Sequence, residues 1–125
     1  MFNQKAIYRV EIIRKKIVFI ENIVKEKGST IKALEDEQNS RASILMHLTS
    51  ISEQFDKLLH SGELDILSYF DKIDIKGSYE LRNFIAHDYE GVDLYIVESV
   101  IDERLPIIKK ATENILDKNG TTSKI

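Results

Sequence analysis

The sequence contains very few residues that interrupt regular secondary structure. Its 125 residues include one proline and five glycines, and it has no cysteine. An all-β sandwich or barrel needs a turn every few residues, so this scarcity argues against that class. The lack of cysteine excludes disulfides, thiolate metal sites and a thiol nucleophile. We therefore expect helices joined by short connections, in a single domain suited to this length.

The first segment predicts an amphipathic helix from about Lys5 to Lys27. Gly28 ends this helix, because glycine readily adopts the left-handed conformation of a C-cap. The apolar residues of the segment recur every three or four positions and therefore share one face. These residues are Ile13, Ile17, Ile20 and Val24.

A second long helix is predicted from about Ile31 to Leu59, after an N-cap at Ser29 or Thr30. Its second half carries an apolar stripe, which consists of Ile44, Leu48, Ile51, Phe55 and Leu58. Its first half is polar, and the stretch 35–40 (EDEQNS) has almost no apolar side chains. We expect this polar half to project from the core or to fray.

Helical patterning continues through the rest of the chain. Residues 63–70 predict a short helix or turn, and residues 71–87 predict a longer helix. After a turn signal that ends at Asp93, which is a suitable N-cap, a further helix extends to Asp102. Pro106 would remove a hydrogen bond deep inside a helix, so we place it in the first turn of a final helix over 105–118.

These elements predict an all-α, single-domain bundle of four or five helices. The domain covers residues 1–118, and a polar C-terminal tail covers residues 119–125, which we expect to be disordered. No apolar run approaches the roughly 20 residues that span a bilayer, and the N-terminal stretch lacks the features of a signal peptide. We therefore expect a cytoplasmic protein.

The formal net charge of −3 limits how the chain could bind nucleic acid. A protein that coats nucleic acid is basic overall, because phosphate contacts are mainly electrostatic. Any role in RNA chemistry must therefore depend on a local site and not on the whole surface. Most of the charges fit a solvated helical surface of mixed sign.

One segment, LRNFIAHDY at residues 81–89, concentrates the side chains that could do chemistry. Arg82 offers a planar donor fork to a phosphate, and the imidazole of His87 exchanges a proton near neutral pH. Asn83 lies one helical turn before His87, whereas Arg82 and His87 diverge by about 140° around a helix. The two converge on one ligand only if the helix ends or kinks near His87, or if a second copy of the chain completes the site.

Arginine and histidine together suit attack by an RNA 2′-hydroxyl on the adjacent phosphate. One imidazole would take the hydroxyl proton, another would protonate the leaving oxygen, and Arg82 would stabilise the charge on the phosphorane. The reaction needs no metal, because the nucleophile is part of the substrate. On spacing alone, Arg82 and His87 also fit ordinary surface and capping roles.

The other two histidines are expected to be structural. His47 lies between apolar residues as a packed histidine, and His60 lies at a helix end as a cap. We predict no metal site, because no two histidines have the four-residue helical spacing and cysteine is absent.

The motif resembles the signature of HepT toxins, which belong to the HEPN superfamily. Arg82 and the polar Asn83 are followed by His87 with the four-residue spacer of that family, and by Tyr89 two positions later. The stretch 44–53 is similar to the family's second helix, with Ser52 where glycine is usual. The segment 88–93 and the later Leu-Pro pair at 105–106 are similar to its C-terminal part. The resemblance covers the chain from about Ile44 to Leu116.

This resemblance implies an all-α, HEPN-like bundle that forms a homodimer, with the motifs meeting at the interface. It implies a toxin of a toxin–antitoxin pair, acting as a metal-independent endoribonuclease without a cofactor of its own. The usual partner is a nucleotidyltransferase antitoxin of the MntA type, which uses ATP to add AMP to the motif tyrosine, here Tyr89. The added bulk and negative charge beside Arg82 and His87 would exclude RNA.

The resemblance assigns a role to each residue of the motif. Arg82 binds phosphate, His87 transfers protons, Asn83 orients the site and Tyr89 accepts AMP. Glu53, on the second helix, is a further candidate that would orient Arg82 through an ion pair. Structural alternatives stay open for three of these residues: a hydrogen bond from Asn83 to a helix carbonyl, a half-buried interface position for Tyr89, and a plain surface carboxylate at Glu53.

A second class of function also stays open at this point. The acidic balance of the chain favours a binding module without catalysis, which would act as the partner or substrate subunit of a minimal nucleotidyltransferase. Growth arrest on expression of the chain alone, relieved by His87→Ala, would separate the toxin from the binding module. The tyrosines outside the motif are expected to pack against the core; they are Tyr8, Tyr69, Tyr79 and Tyr95.

Overall fold

A computed structural model describes residues 2–120 and confirms the all-α class, because these residues form helices and no β-strand. Within this range, no helix is both long enough and apolar enough to cross a membrane. The helices are α1 (Gln4–Lys27), α2 (Thr30–Glu35), α3 (Ser40–His60), α4 (Leu64–Leu67), α5 (Lys72–His87), α6 (Leu94–Ser99) and α7 (Leu105–Lys118). A 3₁₀ turn covers Tyr89–Gly91, and a π-helical turn covers Val100–Arg104.

Helix α1 has the bounds and the caps that the sequence predicts. The side chain of Asn3 accepts hydrogen bonds from the backbone N–H groups of Lys5 and Ala6 at its start. Gly28 ends it with φ of 98°, a left-handed conformation that favours glycine. The predicted stripe faces the core, where its three isoleucines are fully buried and Val24 is partly buried.

The prediction of one continuous second helix is wrong in its first half. The structure has two helices instead, α2 and α3, which are separated by a turn at residues 36–39. The Asp36 carboxylate accepts hydrogen bonds from the backbone N–H and the hydroxyl of Ser40, and lies 2.9 Å from Nζ of Lys27. Arg41 donates from Nε to the carbonyl of Leu34, at 2.7 Å. The polar stretch therefore forms a fixed turn between α2 and α3 and does not fray.

Helix α3 lies at the centre of the bundle, in contact with α1 on one side and α5 on another. All five predicted apolar residues of its stripe are buried. Helix α7 also packs on α1, so the core lies mainly among α1, α3 and α7. The short α4 contributes Ile66 and Leu67 to the same core.

The predicted break between the last two helices is absent. Helix α6 continues through the π-helical turn into α7, where the N–H of Leu105 donates to the carbonyl of Val100. Pro106 lies in the first turn of α7 as predicted. Proline has no backbone N–H to donate, and the wider π-helical turn before it accommodates the loss of that hydrogen bond. Asp93 caps α6 as predicted. Of the predicted tail, residues 121–125 lie outside the described residues.

Helix α5, which carries the motif, is less buried than the other long helices. Its one fully buried residue is Asp74, whereas Ile73 is 69% exposed and Phe84 is 62% exposed. An apolar groove of about 200 Å³ separates part of α5 from the π-helical turn and α7. Leu48, Gly77 and Leu105 are among the residues that line it. An apolar surface of α5 therefore stays uncovered by residues 2–120 of its own chain.

Candidate active site

Arg82 lies on the side of α5 that faces α3, with 28% of its side chain exposed. Its guanidinium carbon lies 5.4 Å from the centre of the Tyr79 ring, and its Nη1 lies 3.9 Å from Oδ2 of Asp56. Tyr79 is partly buried, and its hydroxyl has no hydrogen-bond partner among the described residues. Burial, together with the nearby charge of Asp56, raises the pKa of Tyr79. Arg82 is thus held between an aromatic ring and a carboxylate.

The predicted partner of Arg82, Glu53, does not form that ion pair within the described residues. Glu53 is an exposed residue of α3, and Asp56, three positions later, supplies the carboxylate. Both acids lie on neighbouring positions of one helix face, so only the packing of α5 on α3 decides which of them reaches Arg82.

Asp56 also contacts His60, at the C-terminal end of α3. Nδ1 of His60 lies 3.3 Å from Oδ1 of Asp56, and 2.8 Å from the carbonyl oxygen of the same residue. The predicted capping role of His60 is confirmed. One carboxylate therefore links the end of α3 with Arg82 on α5.

His87 is the last residue of α5, and its imidazole is exposed. The described residues offer this ring no hydrogen-bond or ion-pair partner. Asn83, one turn earlier, is also exposed, and its side chain forms no hydrogen bond to a helix carbonyl in this part of the chain. Asn83 and His87 therefore present open polar groups on one face of α5.

A tight turn follows His87 and positions Tyr89. The Asp88 carboxylate accepts a hydrogen bond from the N–H of Gly91 at 3.1 Å. A Cβ at position 91 would collide with that carboxylate, so any larger residue here would displace the Asp88 side chain from this bond. Tyr89 begins the turn and is 37% exposed. The ring of the proposed AMP acceptor thus lies two residues after the imidazole, partly open to solvent.

The isolated chain does not bring Arg82 and His87 onto one face. Both lie within the regular part of α5, which ends at His87 without a kink between them. Arg82 contacts α3 and Tyr79, whereas His87 faces solvent. Helix α5 ends at His87, so the structure meets one of the two conditions that the spacing sets for a shared ligand, and completion of the site by a second copy stays a prediction.

The remaining sequence candidates lie apart from this site or pack as predicted. His47 is half-buried, with its ring 5.4 Å from that of Phe19, and burial lowers its pKa. Tyr69 and Tyr79 are partly buried as predicted, but Tyr8 and Tyr95 are exposed, so the packing prediction is wrong for these two. Within residues 2–120, no three or more histidine, aspartate or glutamate side chains are grouped so as to hold a metal ion.

Comparison with known protein families places this geometry in context. A family model described as Ribonuclease HepT-like matches residues 13–115, which include the motif of α5 and extend from α1 into α7. No match was found among curated proteins or among solved structures.

Proposed function

Because the chain belongs to the HepT-like ribonuclease family, we propose that it is an endoribonuclease toxin whose site combines Arg82 and His87 from two copies. The observation that carries this proposal is the contrast between the two side chains. Arg82 is held in place by Asp56 and Tyr79, whereas the exposed His87 has no partner within the described residues. A fixed cation and a free imidazole on one helix suit phosphate binding and proton transfer.

The proposed reaction uses the 2′-hydroxyl of the RNA as the nucleophile. The 2′-oxygen forms a bond to the adjacent phosphorus, and the bond from this phosphorus to the 5′-oxygen of the next nucleotide breaks. His87 of one protomer accepts the 2′-hydroxyl proton, and His87 of the other donates a proton to the leaving 5′-oxygen. Arg82 stabilises the negative charge on the phosphorane, while Asn83 orients the phosphate. The products are a 2′,3′-cyclic phosphate and a 5′-hydroxyl, and the reaction requires no metal.

The exposed surface of α5 supports the proposed homodimer. Phe84 and Ile73 are large, apolar and mostly exposed, and no apolar side chain of this helix is fully buried in the isolated chain. Burial of such a side chain contributes about 1.5–3 kcal/mol. Phe84 lies one turn before His87, so a dimer formed through this surface would place two imidazoles near its axis.

We propose that an MntA-type nucleotidyltransferase antitoxin inactivates the chain at Tyr89. The Tyr89 hydroxyl oxygen would attack the α-phosphorus of ATP, pyrophosphate would leave, and the hydroxyl proton would pass to a base of the transferase. The partly exposed ring supports this role. The attached phosphate would repel RNA from the adjacent Arg82 and His87.

The test of the modification is intact mass after co-expression with an MntA-type nucleotidyltransferase. We expect a mass increase in steps of one AMP for the wild type and none for Tyr89→Phe. Tyr95→Phe is the matched control, because Tyr95 is more exposed than Tyr89 and lies outside the motif. A mass increase that persists in Tyr89→Phe would contradict this acceptor.

The test of the nuclease is cleavage of RNA in EDTA by the purified chain. We expect products with 2′,3′-cyclic phosphate ends from the wild type and none from His87→Ala or Arg82→Ala. Equal cleavage by a clean His87→Ala preparation would show that the activity belongs to another site or to a contaminant. A wild type that cleaves no RNA but binds the nucleotidyltransferase would support the non-catalytic partner subunit instead.

A further inference from the structure

We propose that His60 is a substrate-binding residue, which together with Arg82 forms a phosphate-binding pair that Asp56 holds in place. The ligand is a phosphodiester of RNA, so the inference rests on the proposed function and deepens it. It adds a residue of helix α3 to a site whose Arg82, Asn83 and His87 all lie on α5.

The first step of the argument concerns the proton on the His60 ring. Nδ1 faces two oxygens of Asp56, the backbone carbonyl at 2.8 Å and the carboxylate Oδ1 at 3.3 Å. A carbonyl oxygen only accepts hydrogen bonds, so Nδ1 carries the proton and donates it. Nε2 is therefore the ring nitrogen that stays available to another molecule, and it donates to a phosphate oxygen when the ring carries a second proton. With 76% of the side chain exposed, a ligand can reach it.

The second step concerns Arg82, which the same carboxylate orients. Its Nη1 lies 3.9 Å from Oδ2 of Asp56, and this is its one ion pair within the described residues. Most N–H groups of the guanidinium therefore stay free for a phosphate. Because one carboxylate contacts both side chains, Arg82 of α5 and His60 at the end of α3 both lie beside Asp56.

The third step is the balance of charge around this carboxylate. When the His60 ring carries that second proton, it and Arg82 together outweigh the charge of Asp56, and the cluster then attracts phosphate. Tyr79 packs against the guanidinium and limits its movement. A carboxylate that fixes two donors in advance lowers the entropy lost when a phosphate binds. Asp56 acts here as a positioning residue, and it does not itself contact the substrate.

Two substitutions separate substrate binding by His60 from a purely structural cap. The side-chain amide of asparagine can replace the Nδ1–H group, which makes the cap, but leaves nothing at the position of Nε2. The longer glutamine places its amide near the position of Nε2. His60→Asn therefore keeps the cap and removes the proposed contact, whereas His60→Gln keeps a donor for the phosphate.

The experiment measures binding of a 2′-O-methyl RNA, which lacks the nucleophile and stays intact, at several salt concentrations. We expect His60→Asn to weaken binding by about 3- to 10-fold and to reduce the salt dependence by about one phosphate contact. His60→Gln should bind more tightly than His60→Asn. Asp56→Asn should also weaken binding, because it removes the carboxylate that orients both His60 and Arg82. Asp65→Asn is the control, because Asp65 is an exposed acid of α4 that forms no ion pair within residues 2–120. Thermal melts check that each variant is folded.

Wild-type affinity and an unchanged salt slope in His60→Asn would overturn the inference and leave His60 as a helix cap only. If that variant also cleaves RNA like the wild type, the proposed function survives without this contact. A wild type that neither binds nor cleaves RNA would overturn both, so the two failures are distinguishable.

Discussion

Asp74 on α5 accepts two hydrogen bonds from Arg104 of the π-helical turn. Nε donates to Oδ1 at 2.6 Å, and Nη2 donates to Oδ2 at 2.8 Å. The Asp74 side chain is almost fully buried, and a further bond from Arg104 reaches the exposed Asp71. These bonds raise the pKa of Arg104. The two hydrogen bonds between Arg104 and Asp74 attach the first half of α5 to the turn that leads into α7, beside the apolar groove.

We predict that Asp74→Asn lowers the melting temperature by at least about 3 °C, because a buried guanidinium contact loses its charged acceptor. Asp71→Asn is the matched control, because Asp71 is exposed and accepts a hydrogen bond from the same arginine. The drop in melting temperature should be smaller in this variant. Thermal melts by circular dichroism measure both variants. Equal losses in the two variants would contradict a dominant role for the buried bond.

Gly77 offers a stabilising substitution on the same helix. It lies in the interior of α5, and a Cβ built there meets no atom within 4 Å. We predict that Gly77→Ala stabilises the chain by about 0.5–1 kcal/mol, because alanine loses less backbone freedom in a helix. Urea unfolding measures the change. Gly28→Ala, at φ of 98°, should be destabilising in the same assay. A loss of stability in Gly77→Ala would contradict the open space at this position.

The sequence predicts the core better than the site, for a physical reason. The stripes of α1 and α3 follow from local spacing, and their residues are buried as predicted. An apolar stripe does not say whether its own chain or a second copy covers it. Phe84 of α5, for example, is apolar and yet mostly exposed. The partner of Arg82 depends on how α5 packs on α3, so spacing along one helix did not distinguish Asp56 from Glu53.

The turn between α2 and α3 escaped prediction for a different reason. Glu37 and Gln38 are good helix formers, but Asp36, Asn39 and Ser40 favour caps and turns, and apolar periodicity alone does not register that signal. The side chains of Asp36 and Arg41 stabilise the break through bonds to Ser40 and the Leu34 carbonyl. These bonds compete with the helix and become visible only in the folded chain.

The same turn predicts a specific loss of stability in acid. The hydrogen bond from Lys27, supported by Ser40, lowers the pKa of Asp36 from 3.8 to about 2. Because the folded pKa lies below the ordinary value, this contribution is complete above about pH 4 and disappears as the pH falls toward 2. Urea midpoints between pH 2 and 6 should fall less steeply in Asp36→Asn than in the wild type. The exposed Glu37→Gln is the control, and an equally flattened profile in that variant would contradict the assignment.

Phe84 tests the proposed dimer surface. We predict that Phe84→Asp gives a monomer at micromolar concentration and loses at least 10-fold in RNA cleavage, because a charge replaces the apolar contact beside His87. Analytical ultracentrifugation measures the mass, and circular dichroism checks the fold. Leu64→Asp is the matched control, since Leu64 is equally exposed but lies on α4. A Phe84→Asp variant that stays dimeric and active would move the interface elsewhere.

The most direct test of a site shared by two copies is the activity of a mixed dimer. One wild-type protomer and one His87→Ala protomer, carrying different tags, are co-expressed and purified through both tags. Since cleavage needs one imidazole as base and another as acid, we predict that the mixed dimer has less than about a tenth of the wild-type rate. Half of the wild-type rate would show that each protomer cleaves RNA alone, and would contradict the shared site.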